Sequence, residues 1–204
     1  MFISFEGIDG SGKSTQARLL AEALRQRDME VVEVREPGGT RLGEEVRTLL
    51  LDPSADIDPR AELLLFSAAR AQLVTHVIRP ALERGAVVIA DRFYDSTTAY
   101  QGAGRDLAAP DWLLDFHRFV TDDCHPERTF LIDVPVGLAA ARRGGRSQDR
   151  MERGGEAFYE RVRQAYLQLA DLERQRVRVL DGSAPAPALH TAILNDLRHH
   201  GDER

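Results

Sequence analysis

FISFEGIDGSGKST, residues Phe2 to Thr15, changes character twice within one short stretch. An apolar run closes on Glu6, glycines follow at Gly7, Gly10 and Gly12, and Lys13 leads into an amphipathic pattern from Ser14 to Arg27. The periodicity predicts a strand, a sharp turn and a helix. From Gly7 to Ser14 the spacing is G-x-x-x-x-G-K-S, in the strand-to-helix setting that a phosphate-binding loop requires. Its glycines let the backbone curl until successive N–H groups point inward, and the helix start adds the positive end of its dipole. Gly7, Ile8, Asp9, Gly10, Ser11, Gly12, Lys13, Ser14 and Thr15 are therefore the candidate site for a nucleoside triphosphate. Lys13 would reach the β- and γ-phosphates, and Ser14 would offer its hydroxyl to Mg²⁺.

Outward from this loop, strand and helix patterns alternate. Glu30 to Glu36 (EVVEVRE) reads as a second strand closed by the turn-forming PGGT. A long helical stretch from about Arg60 to Arg84 ends at Gly85. Ala86 to Asp91 (AVVIAD) is continuously apolar, as in a strand buried on both faces. RTFLIDV and VRVLD add two strands, each followed by a helical segment, and Ser183 to Ala188 (SAPAPA) reads as a turn before the last helix. The expectation is an α/β fold of the P-loop NTPase kind: a five-stranded parallel sheet flanked by helices, in one domain spanning residues 1–204.

The chain has 204 residues and a formal charge of −6, which argues against a general nucleic-acid partner. Cys124 is the only cysteine, so no intrachain disulfide forms and a reducing compartment fits. The start lacks the pattern of a signal peptide, and no uninterrupted apolar run approaches the length of a membrane span, so the expectation is a cytoplasmic protein with no membrane partner. The six histidines show no metal-ligand spacing. Neither N-K-x-D nor L-S-G-G-Q occurs, which removes support for GTPases and ABC transporters.

Asp91 closes the third strand, at the sheet edge where open α/β sheets bind ligands. A carboxylate there can hold Mg²⁺, partly through water, and Arg92 beside it can fork onto an anion. The plainer alternative has Asp91 capping the next helix with Arg92 in a salt bridge. Arg142, Arg143, Arg146, Arg150 and Arg153 crowd one glycine-flanked segment. Such a run is usually a solvated helix face, but in a P-loop protein it fits a mobile lid, about 142–154, that closes over phosphates.

FEGIDGSGKST, REPGGT, LLFSAARAQ, ADRFYDSTTAYQGAGR and DRMERGGEAFYERVRQAY together resemble bacterial thymidylate kinase, from about Phe2 to Asp181. The resemblance implies transfer of the ATP γ-phosphoryl to dTMP with Mg²⁺, giving dTDP on the de novo and salvage routes to dTTP. It implies that Asp9 contacts the bound monophosphate, that Phe66 stacks on thymine and Arg70 reads it, and that Arg92 holds the acceptor phosphate. Thr97 and Tyr100 would contact the base and crowd the 2′-position. Glu36, Pro37, Ser96 and Gln101 complete the implied substrate site, with Arg35 and Arg105 in matching motifs. A homodimer joined through helices is also implied.

Some members of that family place an arginine after the P-loop acid, whereas others supply it from the lid. Gly10 follows Asp9 here, so the chain resembles the lid-arginine, enterobacterial-like type. Arg146 is the first candidate for the transferring phosphoryl, with Arg142 or Arg143 as alternatives. A related kinase with another acceptor base would keep the loop, Asp91 and Arg92, but has little reason to combine Phe66, Arg70 and Tyr100. A non-catalytic nucleotide-binding protein would tolerate loss of Lys13, Asp91 or the arginines, and none is missing.

Overall fold

Strand β1 (Phe2–Glu6) is wholly buried and occupies the middle of a five-stranded sheet. The computed structural model describes residues 1–144 and 155–202. Helix α1 (Lys13–Arg25) follows the glycine loop, and β2 (Val31–Arg35) pairs at the sheet edge. Next come α2 (Arg41–Leu51), α3 (Pro59–Leu73), a π-helical segment (Val74–Ile78), α4 (Arg79–Glu83) and β3 (Val87–Asp91). Helix α5 (Tyr94–Thr97) runs into a second π segment (Thr98–Gly104) and then α6 (Pro110–Thr121). The chain finishes through β4 (Arg128–Asp133), α7 (Val136–Arg143), α8 (Gly155–Leu172), β5 (Val177–Asp181) and α9 (Ala186–Asp202).

All strand pairs are parallel, in the order β2-β3-β1-β4-β5. Parallel neighbours need helical crossovers, which cover both faces and make the central strands apolar throughout. Ile3, Phe5, Ile89, Phe130 and Ile132 accordingly pack against α1 and α9 on one face. Leaving β1, the chain order runs to β3 on one side and to β4 on the other, so the glycine loop emerges at a topological switch point. Register places Asp91 beside both Phe5 and Arg35, which gathers the ends of three strands around one crevice.

The strands fall within a residue or so of the sequence expectation. The long helix is less regular than expected. Pro80 has no N–H for the carbonyl four residues back, and the π turn ahead of it, where Arg79 N–H reaches Val74 O, absorbs the defect. The last helix starts at Ala186, inside the stretch read as a turn, because Pro187 is tolerated in a first helical turn. The Pro59–Glu83 rod is long and apolar enough by length and composition to cross a bilayer. It lies instead against the fold, with Glu62 and Arg70 buried and paired inside the protein.

Candidate active site

The glycine loop is seated against backbone on two sides. A Cβ at Gly7 would stand 2.6 Å from Ile132 O, and one at Gly10, where φ is +89°, would stand 2.4 Å from Ala139 O. Neither position admits a side chain without moving β4 or α7. Ile8 is anchored in the core, Thr15 is exposed, and the buried Ser11 Oγ has no hydrogen-bond partner among the described residues. Helix α1 begins at Gly12 with no side-chain cap and no acid in its first turn. Its leading N–H groups are therefore open to an anion.

A cleft of about 490 Å³ opens beside this loop. On its floor, Asp9 stands between two cations: Oδ1 is 2.7 Å from Arg92 Nη2 and 3.6 Å from Lys13 Nζ. The Tyr100 hydroxyl donates to Asp9 Oδ2 at 3.1 Å and accepts from Arg92 Nη2 at 3.1 Å. Burial would raise the Asp9 pKa, but Arg92 and then Lys13 outweigh it and hold the carboxyl well below its usual range. Burial, then repulsion from Arg92, pull the Lys13 pKa down, against Asp9, Asp91 and Glu6. Arg92 itself holds φ at +73°, left-handed backbone that a bulky residue adopts only when its surroundings require it. That turn brings its guanidinium back over the loop instead of out along the sheet edge.

The far end of the cleft is shaped for a flat, polar-edged group. Phe66 and Arg70, one turn apart on α3, both line it, with Thr97, Tyr100 and Gln101 opposite. Arg70 is 1 % exposed and donates to Glu36 Oε2 at 2.7 Å and to Thr97 Oγ1 at 3.0 Å. Its Nη1 and the other Glu36 oxygen are buried with no partner among the described residues. Burial raises the Glu36 pKa, and Arg70 opposes that rise. Pro37, after a cis peptide bond, and Ser96 complete the wall. Gln101 donates to the buried Glu62 at 2.8 Å, and Arg105 pairs with Glu62 at 3.3 Å, so Arg105 braces the pocket and is absent from its lining. Arg35 lines the cleft and also pairs with Glu44 at 3.2 Å.

Asp91 Oδ1 is buried without a hydrogen-bond partner among the described residues, and the exposed Ser14 shares the same cleft. A hard oxygen donor left unsatisfied beside a free hydroxyl fits Mg²⁺, which keeps most of its waters. Arg142 donates to Gly182 O at 2.9 Å and to Ser11 O at 3.3 Å, and Arg143 to Asp9 O at 2.6 Å. Both guanidiniums thus rest on the back of the loop. Arg146, Arg150 and Arg153 lie outside the described residues.

Four further residues contribute to the site, none of them given a role by the motifs above. Arg47 reaches the cleft and donates to Pro37 O at 2.9 Å. Tyr159 OH contacts Asp9 Oδ2 at 3.5 Å, and Tyr166 OH accepts from Arg92 Nη1 at 3.2 Å. Glu6 is fully buried and accepts from Phe93 N, Ser96 Oγ and Tyr166 OH. For Glu6 a signal existed: a lone charge ends an otherwise apolar central strand.

A family model for thymidylate kinase matches residues 5–193. A thymidylate kinase of Thermosipho africanus is 45% identical over 200 residues, covering 98% of each chain. One of Pseudomonas putida is 50% identical over 195 residues, covering 95% of this chain and 94% of its own. Among solved structures, the thymidylate kinase of Ehrlichia chaffeensis superposes with a TM-score of 0.78 at 38% identity, covering 97% of this chain and 98% of its own.

Proposed function

The chain belongs to the thymidylate kinase family, and from that premise we propose how its residues carry a phosphoryl group from ATP to dTMP, giving dTDP. The observation that carries the reading is Asp9, flanked at 3.6 Å by Lys13 from the loop and at 2.7 Å by Arg92 from β3. One carboxylate orients the two cations on which two polyanions would converge. Lys13 and the open amides of α1 take the donor phosphates. Arg92, supported by Ser96 and Tyr100, takes the acceptor phosphate. Phe66, Arg70, Thr97 and Gln101 receive the thymine, with Glu36 and Pro37 behind them.

The acceptor is already a nucleophile. A phosphate monoester has its second pKa at about 6, so near neutrality it is mostly a dianion and needs no general base. The protein's work is alignment of repelling groups and neutralisation of charge. Ser14 and Asp91 would hold Mg²⁺, which when bound supplies further charge on the donor phosphates.

We assign the cation for the transferring phosphoryl to the end of α7 and the segment after it, as in the lid-arginine type: Arg146 first, with Arg142 or Arg143 as alternatives. What supports this is Gly10. A side chain at Gly10 would press on Ala139 O and force α7 or the loop to move, and α7 delivers Arg143 to Asp9 O. We also assign a homodimer. Leu49 on α2, Leu64 on α3, and Trp112 and Phe119 on α6 are exposed apolar side chains on three adjoining helices, and Phe119 is 84 % exposed. The lone, reduced Cys124 fits the cytosol.

The test is ADP release from Mg-ATP with dTMP, dUMP, dCMP, dGMP and AMP in parallel. Turnover concentrated on dTMP, with weaker dUMP, is expected. Preference for another monophosphate would discard the assigned base pocket, and silence with ATP still bound would discard the catalytic reading.

A further inference from the structure

Glu6 has no part in the mechanism above, yet it touches three groups around Arg92: the Phe93 amide, Ser96 and Tyr166. Its Oε1 accepts the Phe93 N–H at 2.7 Å, the amide directly after the left-handed Arg92. Its Oε2 accepts Ser96 Oγ at 2.6 Å and Tyr166 OH at 3.0 Å. Those two hydroxyls in turn accept Arg92 Nη1, at 3.0 and 3.2 Å. One carboxylate therefore fixes the arginine twice, through its backbone and through one end of its guanidinium. Asp9 and Tyr100 hold the other end. Burial keeps the Tyr166 hydroxyl protonated far into alkaline pH, so it remains a donor to Glu6.

We propose that Glu6 is the positioning residue for Arg92, setting the guanidinium for the acceptor phosphate through Ser96 and Tyr166. The geometry favours this over plain structural support. A buried carboxylate serving only the fold would need donors, and backbone amides suffice; here two of its three donors are hydroxyls passing its charge to one functional arginine. Its other link is covalent: Glu6 leads straight into Gly7, so the acceptor-side arginine and the donor loop are referred to the end of one strand.

The inference rests on dTMP as acceptor, and wild-type turnover with dTMP in the same assay checks that separately. Glu6→Gln keeps size and burial and keeps an acceptor for Phe93 N, but removes the charge and turns an NH₂ toward the hydroxyls. At about pH 8 the KM for dTMP should rise about tenfold, the order by which outer partners tune the groups they orient. The KM for ATP should stay within about twofold. Tyr166→Phe, which leaves the carboxylate in place, should move the dTMP KM in the same direction by less. An unchanged dTMP KM in folded Glu6→Gln overturns the proposal, as does an equal rise in both KM values, the mark of general loosening. If Glu6→Gln does not fold, Tyr166→Phe decides: a selective dTMP effect upholds the relay, and wild-type kinetics sink it.

Discussion

Lys13 is a cation almost withdrawn from water, 6 % exposed, and it tolerates this because Asp9 faces it. Lys13→Ala should leave the fold intact, since Asp9 keeps Arg92, while kcat drops by about 10² or more, the cost of deleting one preorganised electrostatic contact. Near-wild-type turnover in a purified sample with Mg²⁺ present would refute the assignment. Glu6 makes a prediction about pH. Burial, then Asp95, push its pKa from 4.5 up to about 7, against Ser96, Arg92 and the Phe93 amide. A carboxyl that holds its proton longer when folded contributes its stability in full below about 4.5 and loses it as pH rises through about 7. Urea unfolding at about pH 5 and about pH 8 should therefore show wild type losing ground to Glu6→Gln with rising pH, by on the order of 2 kcal/mol. A difference that stays constant between the two pH values would mean that Glu6 is ionised throughout.

The glycine loop and α7 act as one element pair. Gly10 leaves no room for a Cβ against Ala139 O, and Arg143 donates to Asp9 O, so α7 and the loop share their position. Gly10→Arg imitates the loop-arginine type in sequence, but here it should lose both ATP affinity and stability, by roughly 1–3 kcal/mol from overpacking and positive φ. A loss of several degrees in Tm with raised KM for ATP is the expected result. Unchanged Tm with retained turnover would show that the loop can shift, and would remove the steric argument for the lid assignment. The same scale explains what periodicity could not reveal. A helix pattern carries over Val74 to Ile78 without a break, because π and α backbones bury nearly the same face, and the second π segment, Thr98 to Gly104, has no pattern of its own that marks it. Only the hydrogen bonds, Arg79 to Val74 and Arg105 to Tyr100, distinguish them.

At the scale of the whole molecule, the exposed apolar residues of α2, α3 and α6 lie on neighbouring helices, away from the charged cleft in composition if not in chain position. Sedimentation equilibrium should give twice the 22.8 kDa protomer. Leu64→Asp, on a side chain 58 % exposed, should shift the balance toward monomer without unfolding the chain. A wild-type monomer at micromolar concentration would end the dimer assignment.

How much of this was legible beforehand follows from how local each feature is. The strand-loop-helix unit around Gly7 to Ser14 and the five strands depend on spacing and side-chain type within short windows, and those alone determined the fold class and the phosphate site. The pairing of Phe66 with Arg70 was likewise legible, since residues four apart share a helix face. Arg47, Tyr159 and Tyr166 were not, because nothing near them in the chain announces chemistry; they meet the cleft or its residues only when α2 packs on α3 and α8 packs on β4, β5 and the second π segment. Glu6 is the sharpest case. Its place in the sequence marks it as unusual, but its partners come from residues 87 to 160 positions away. The sequence by itself determined which groups are the candidates for binding phosphate, because that motif lives in a contiguous loop. The tertiary structure alone decided how Arg92 is held, because a buried carboxylate has no meaning until the donors that satisfy it are brought to it.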